Sequence, residues 1–347
     1  MENRSRWFQI LRFTCFLGIG LIMMLLLDVN LSHAQATPNY KWRVAGVQAQ
    51  GWPHNDGLVH FAAKVFERTN GNVKITVYPG MQLGDPVKLF ESCQRGTIDL
   101  AICVPYPFID PRFNIVNLPY LVEDFNQADR VFYGEGWFNS FIRKIYEDKK
   151  IKFLGGIENE FRGISNSKRP IKAPDDLKGM KLRDGGVPTL NAFLSVCGGK
   201  SINVPFAELY TALQQGIVDG QDNGPVNTFM MKFQEAQRYY TWLKHSFNMV
   251  IIGMNLDLFN SLPADIQKIL LEEGKEAERI VANEVRGVQL KCLNSMQLAG
   301  MQIYEPTPKE TLQFKEIGRS IWPQFEDKIG KENMAKLREQ MKALGMN

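Results

Sequence analysis

The sequence predicts an α/β protein of two lobes with one long helix spanning both. Three observations carry that prediction. Segments of helical and strand periodicity alternate along most of the chain, the pattern of a sheet covered by helices. A helix–Gly–strand joint recurs at an offset of 120 residues. Finally, Ser261 to Gln297 holds helix formers with no proline after Pro263.

Taken in order, Tyr40 to Val47 reads as a strand. Leu58, Phe61, Ala62, Val65 and Phe66 recur at helical spacing between Gly57 and Thr69, Asn70-Gly71 stops that helix, and Val73 to Tyr78 alternates as a second strand. Pro86 to Arg95 is a helix ended by Gly96, and Ile98 to Val104 is the strand after it. A connection rich in Pro and aromatics follows, then helices near Gln127–Tyr133 and over Phe138–Asp148, and a strand Ile151–Gly155. The first lobe is expected to comprise residues 37–157 plus about 248–285, and the second 158–247 plus about 286–347. The repeat pairs Phe90-x-x-Cys93-Gln94-Arg95-Gly96-Thr97-Ile98-Asp99 with Tyr210-x-x-Leu213-Gln214-Gln215-Gly216-Ile217-Val218-Asp219. Chance accounts for it as well as pseudo-symmetry does, because Gly after a helix is expected anyway. The long helix, with Ser261 as cap and Pro263 in its first turn, runs roughly 35 residues, or about 50 Å, and is expected to brace both lobes. Tyr304–Thr307 reads as a turn, and Lys309–Leu344 as two amphipathic helices parted near Gly330.

Composition excludes several classes. The chain has 347 residues, 44% hydrophobic and 22% charged, which is ordinary for a folded protein. A formal charge of +4 is too small and dispersed for a nucleic-acid partner. Arg4, Arg6 and Arg12, the uncharged run Phe13–Leu27 and Ala34-Gln35-Ala36 form an export signal, expected to be cleaved after Ala36. Its 15 uncharged residues fall short of the roughly 20 that a membrane-spanning helix needs. The expected location is therefore the periplasm. Cys93, Cys103, Cys197 and Cys292 lack metal or redox spacing, and no disulfide is assigned. Only His54, His60 and His245 remain beyond the signal, and no hydrolase, zinc or phosphate-loop motif accompanies them. No cofactor is expected. A periplasmic enzyme using His54 stays as a weaker alternative, and so does an exported ligand-sensing module.

Arg183 closes the short strand Lys181-Leu182-Arg183, at the binding edge of an open α/β sheet. An arginine there can offer a carboxylate two parallel charge-assisted bonds, or pair with a neighbouring Asp. The stretch Arg162-x-x-x-Asn166-x-x-Arg169-Pro170-Ile171, continued by Pro174-x-Asp176-Leu177-Lys178-Gly179-x-Lys181-x-Arg183, resembles the solute-binding proteins of TRAP transporters, the C4-dicarboxylate-binding DctP type. So does Phe206-x-Glu208-x-Tyr210-x-Ala212-Leu213-Gln214-Gln215-Gly216, which leads to Val218-Asp219-Gly220-Gln221-x-Asn223. The likeness extends from Tyr78-Pro79-x-x-Gln82-Leu83-Gly84 to His245 and Leu262-Pro263.

That resemblance implies a periplasmic binding-protein fold with a ligand cleft between the lobes. Such a protein closes on a small organic acid and delivers it to the membrane subunits of a sodium-driven permease, as a monomer or a dimer. It implies that Arg183 grips the ligand carboxylate, that Asn223 bonds the same end, that Arg162 supports or touches the ligand, and that Phe206 packs on it. Arg183-Asp184-Gly185-Gly186 departs from the Arg-Val-Pro of many relatives, placing a carboxylate and two flexible glycines beside the clamp. For the opposite wall, loops at strand ends nominate Trp52, His54, Asn55 and Tyr106.

Overall fold

The computed structural model describes residues 38–346, so the expected export signal lies outside the described residues. Strands β1 (Tyr40–Ala45), β2 (Val73–Tyr78), β3 (Leu100–Cys103), β4 (Ile151–Phe161) and β10 (Phe247–Asn255) form one sheet in the order β2-β1-β3-β10-β4. Strands β5 (Gly163–Asn166), β6 (Lys181–Arg183), β7 (Lys200–Ile202), β8 (Gly220–Asn223), β9 (Tyr239–Thr241) and β11 (Gln302–Tyr304) form a second, ordered β11-β9-β5-β8-β6-β7. The named helices are α1 (Pro53–Arg68), α2 (Pro86–Arg95), α3 (Trp137–Asp148), α4 (Pro188–Val196), α5 (Pro225–Met230), α6 (Ala264–Leu298), α7 (Pro308–Ser320) and α8 (Lys331–Ala343).

The 120-residue repeat is a structural one. In the first sheet β1 lies parallel to β2 and β3, and β3 antiparallel to β10; in the second, β6 lies parallel to β7 and β8, and β8 antiparallel to β5. Gly96 and Gly216 both adopt left-handed backbone (φ 74° and 67°). The aspartate three residues on does the same work in each: Asp99 accepts from the Arg43 N–H and Asp219 from the Lys181 N–H, both at 2.8 Å.

Two segments cross between the sheets. β4 passes through Arg162 into β5, and β9 returns through residues 242–246 into β10. The Arg162 N–H donates to the Ser246 carbonyl at 2.9 Å, tying the crossings together. Each crossing holds a non-glycine residue in left-handed backbone, Glu160 (φ 65°) and Lys244 (φ 54°), a conformation that persists only where surroundings impose it. For Glu160 the surroundings are the first turn of α5, whose Val226 and Asn227 N–H groups both donate to its carboxylate.

The third connection is α6, 35 residues long as the sequence suggested, although Pro263 rather than Ser261 stands at the cap position. It lies backbone to backbone on β4. A Cβ on Gly155 would fall 2.1 Å from the Gly274 carbonyl oxygen, and one on Gly274 2.6 Å from that of Leu154. The sequence reading puts residues 286–347 with the second lobe, but the C-terminal helices straddle both layers. α7 touches α4, whereas α8 packs on α3 beside the first sheet. There the Gln340 side chain accepts from the Phe138 N–H at 2.9 Å, and Trp322 donates to the Pro119 carbonyl. Amphipathic spacing marks the buried face of a helix without naming what covers it.

Candidate functional site

A cleft of about 100 Å³ opens where the two sheets meet, far above the roughly 10–15 Å³ that one water needs. Five of the eight residues nominated from sequence line it: Arg162, Arg183, Phe206, Asn223 and Tyr106.

Arg183 ends β6, which pairs with β7 on one side and β8 on the other, so its side chain rises from the middle of three strands and is buried. Its Nε donates to the Val204 carbonyl at 2.9 Å, which fixes the plane of the guanidinium. No acidic side chain among the described residues forms an ion pair with it. Burial without such a partner pushes its pKa down to about 10, the signature of a cation short of an anion. The departure after Arg183 serves this arrangement. Gly185 (φ 62°) lies against the guanidinium, and a Cβ there would stand 2.7 Å from Cζ and Nη2. Asp184 is taken up by other neighbours, accepting from the Gly186 N–H at 2.7 Å, from the Ser201 hydroxyl on β7 and from Asn191 Nδ2 on α4.

Arg162 is held differently. Its Nε donates to Asp222 Oδ1, and Nη2 donates to the Asp222 carbonyl and, at 3.1 Å, to Asn223 Oδ1. Burial would raise the Asp222 pKa, but the charges of Arg162 and His245 beside it prevail and hold it at about 2. His245 Nε2 stands 3.3 Å from Asp222 Oδ2, and its ring stacks on Phe193 at 5.4 Å between centroids. Asn223 also donates through Nδ2 to Gln221 Oε1, leaving its second N–H for a ligand.

Phe206 opens a short 3₁₀ turn with its ring centroid 5.9 Å from Arg183 Cζ, within cation–π range. Tyr106 follows β3 on the opposite wall and stacks on Phe108 at 4.9 Å. Burial raises its phenol pKa, with Arg183 and Arg162 acting the other way from across the cleft.

Trp52, His54 and Asn55 are not among the cleft-lining residues. Trp52 is the cap position of α1 and Pro53 its first residue, and the packing of α1 on α6 draws this first turn inward, so all three are buried. His54 lies behind the wall, beside the Glu158 main chain and the Asn159 side chain, and burial lowers its pKa to about 4. Sequence reasoning missed Asp222, Gln48, Asn159 and Asn248, and gave His245 no role of its own. Gln48 follows β1 by three residues, as Tyr106 follows β3, and could have been found by the same rule. The chain Asn227–Asn159–Asn248, with donor–acceptor distances of 2.9 and 3.2 Å, joins residues far apart in sequence.

The arrangement is a cation and a set of amide and hydroxyl groups on opposed walls. Among the described residues no group of three His, Cys, Asp or Glu side chains is placed to hold a metal, and the four cysteines are buried free thiols. No described helix is long and apolar enough to cross a membrane.

The profile of the bacterial extracellular solute-binding proteins, family 7 (DctP), matches residues 44–328. The 2,3-diketo-L-gulonate-binding periplasmic protein YiaO of Escherichia coli is 31% identical over 252 residues, 70% of this chain and 76% of that one. A TRAP periplasmic solute-binding protein from Sulfurospirillum deleyianum, solved with succinate, superposes with a TM-score of 0.80 at 26% identity, covering 87% of this chain and 99% of that one. The sugar acid binding protein DctPAm of Advenella mimigardefordensis, solved with galactonate, gives 0.82 at 25% identity, covering 88% and 99%.

Proposed function

The chain belongs to the bacterial extracellular solute-binding proteins of family 7, and from that premise we propose that it captures a small organic acid on Arg183 and hands it to the membrane subunits of a TRAP transporter. Its family and structural neighbours are binding proteins rather than enzymes. One observation supports the reading above the rest, the buried guanidinium of Arg183, fixed through Nε and short of an anion. A ligand carboxylate would complete it with two parallel charge-assisted bonds. Asn223 adds its free N–H to the same end, Phe206 packs beside it, and Arg162 acts through Asp222 and Asn223 rather than as a second clamp. Tyr106 covers the ligand from the first sheet, and the two strand crossings with α6 form the hinge on which the walls close.

Periplasmic location after cleavage behind Ala36 and function as a monomer complete the proposal. It is tested by thermal-shift titration of the refolded protein with organic acids and their amides. A ligand at about 100 times its Kd adds roughly 2.7 kcal/mol to the native state. The reading requires that an acid raises the melting point, that its amide does not, and that Arg183→Ala abolishes the response. Shifts by neutral compounds alone would overturn it.

A further inference from the structure

The cleft carries more information than the presence of a cation. Two arginines and two aspartates line it: Arg183, Arg162, Asp184 and Asp222. Arg162 is neutralised by Asp222, and Asp184 is engaged by Gly186, Ser201 and Asn191. Among the described lining residues Arg183 is therefore the one cation without an acidic partner, and it can pair one carboxylate. A second ligand carboxylate would meet neutral amides and the two aspartates, and a buried unpaired charge is costly.

The remaining polar surface asks for something else. Gln48 and His245 line the cleft from different walls, each more than nine-tenths buried. Gln48 Oε1 and His245 Nδ1 are both buried without a hydrogen-bond partner. His245 Nε2 faces the Asp222 carboxylate, which only accepts and so takes the hydrogen on that side, leaving Nδ1 an acceptor on a neutral ring and a donor on a protonated one. Two buried polar atoms left unmatched are expensive, and a ligand group that pairs with them recovers that cost. A hydroxyl fits best, since it donates and accepts and so serves Gln48 in either orientation of its amide.

We infer that the ligand is a hydroxylated monocarboxylate, its single carboxylate on Arg183 and its hydroxyls on Gln48 and His245. This rests on the reading of Arg183 as the carboxylate clamp. It makes Gln48 and His245 the residues that set specificity along the carbon chain.

Three four-carbon acids test it by calorimetric titration of the exported protein: erythronate, its deoxy counterpart butyrate, and the dicarboxylate succinate. Erythronate is expected to bind at least about ten-fold more tightly than either of the others, the discrimination that unpaired buried polar groups impose. Gln48→Met should shrink the erythronate advantage while leaving butyrate unchanged, and the wild-type comparison stands even where that variant does not fold. Succinate or butyrate binding as tightly as erythronate overturns the inference, as does Gln48→Met weakening erythronate and butyrate in equal proportion. Arg183→Ala separates the two levels. If it abolishes binding of every acid that binds while the hydroxyl preference is missing, the clamp stands and the inference falls; if erythronate binding survives it, or no acid binds at all, both fall.

Discussion

The two sheets share one strand scheme but end their strands in different chemistry. By the 120-residue repeat and the pairing registers, Asp222 and Asn223 of the second sheet correspond to Ile102 and Cys103 of the first, and Arg183 corresponds to Ala45. One sheet thus turns an arginine, an aspartate and an asparagine into the cleft region where the other has three small or apolar side chains. The backbone frame is common property, and it supplies strand ends at the cleft. Whether a strand end can grip or merely shapes is decided by single side chains, and here the charged and amide side chains stand on the strand ends of one sheet.

The sharpest way to break this contrast is to remove the acidic partner of Arg162. Asp222→Ala leaves Arg162 unpaired and His245 without its acceptor, and should cost about 3–5 kcal/mol in urea unfolding. The corresponding Ile102→Val should cost only about 0.5–1.5 kcal/mol. Equal losses would mean that the ion pair adds nothing beyond packing.

Acid titration gives the next largest effect. His54 is held near pKa 4 against 6.5 when unfolded, so the unfolded chain takes up its proton first as pH falls. Its contribution is complete above about pH 6.5 and declines toward pH 4, by up to about 3 kcal/mol. Glu158 and Glu160, pushed up by burial to about 7 from 4.5, tilt the curve the other way, losing stability as pH rises from about 4.5 through about 7. Comparison of wild type with His54→Asn isolates the histidine, and a slope unchanged by the substitution would refute the assignment.

Arg183 itself should behave unlike any other charged residue in the cleft. Removing an unpaired buried cation as Arg183→Met is expected to raise the ligand-free melting temperature, by about 1–3 kcal/mol equivalent, while eliminating acid binding. A lower melting temperature would show that Arg183 stabilises the fold through contacts of its own. The smallest effect is at Gly185. Gly185→Ala and Gly179→Ala share the cost of left-handed backbone, about 1 kcal/mol, but only Gly185 faces a neighbour, the guanidinium. Ligand affinity should therefore fall for Gly185→Ala alone.

The alternation of elements, both left-handed glycine turns, the long helix and the strand-end position of Arg183 were all legible in the sequence, because each depends on residues close together in the chain. β4 runs on to Phe161, beyond its expected end at Gly155, because pairing with β10 continues it. β11 is three residues long and exists only through pairing with β9. The site divided along the same line. Local pattern placed Arg183 and Tyr106 at strand ends, and the family likeness supplied Arg162, Asn223 and Phe206. The same strand-end rule misplaced Trp52, His54 and Asn55, since helix-on-helix packing of α1 against α6 turned that loop into a buried first turn. The pairing of Asp222 with His245, 23 residues away, is a product of the second crossing and has no local signal.

The crossing bond from Arg162 to Ser246 has a further consequence. Arg162 and His245 belong both to the cleft and to the segments that cross between the sheets. On the proposed closure, a substitution there should alter ligand affinity and ease of opening together, which couples the two under selection. New specificities in such a scaffold should therefore accumulate at positions away from the crossings, such as Gln48, Tyr106 and Phe206, while the crossing residues drift slowly.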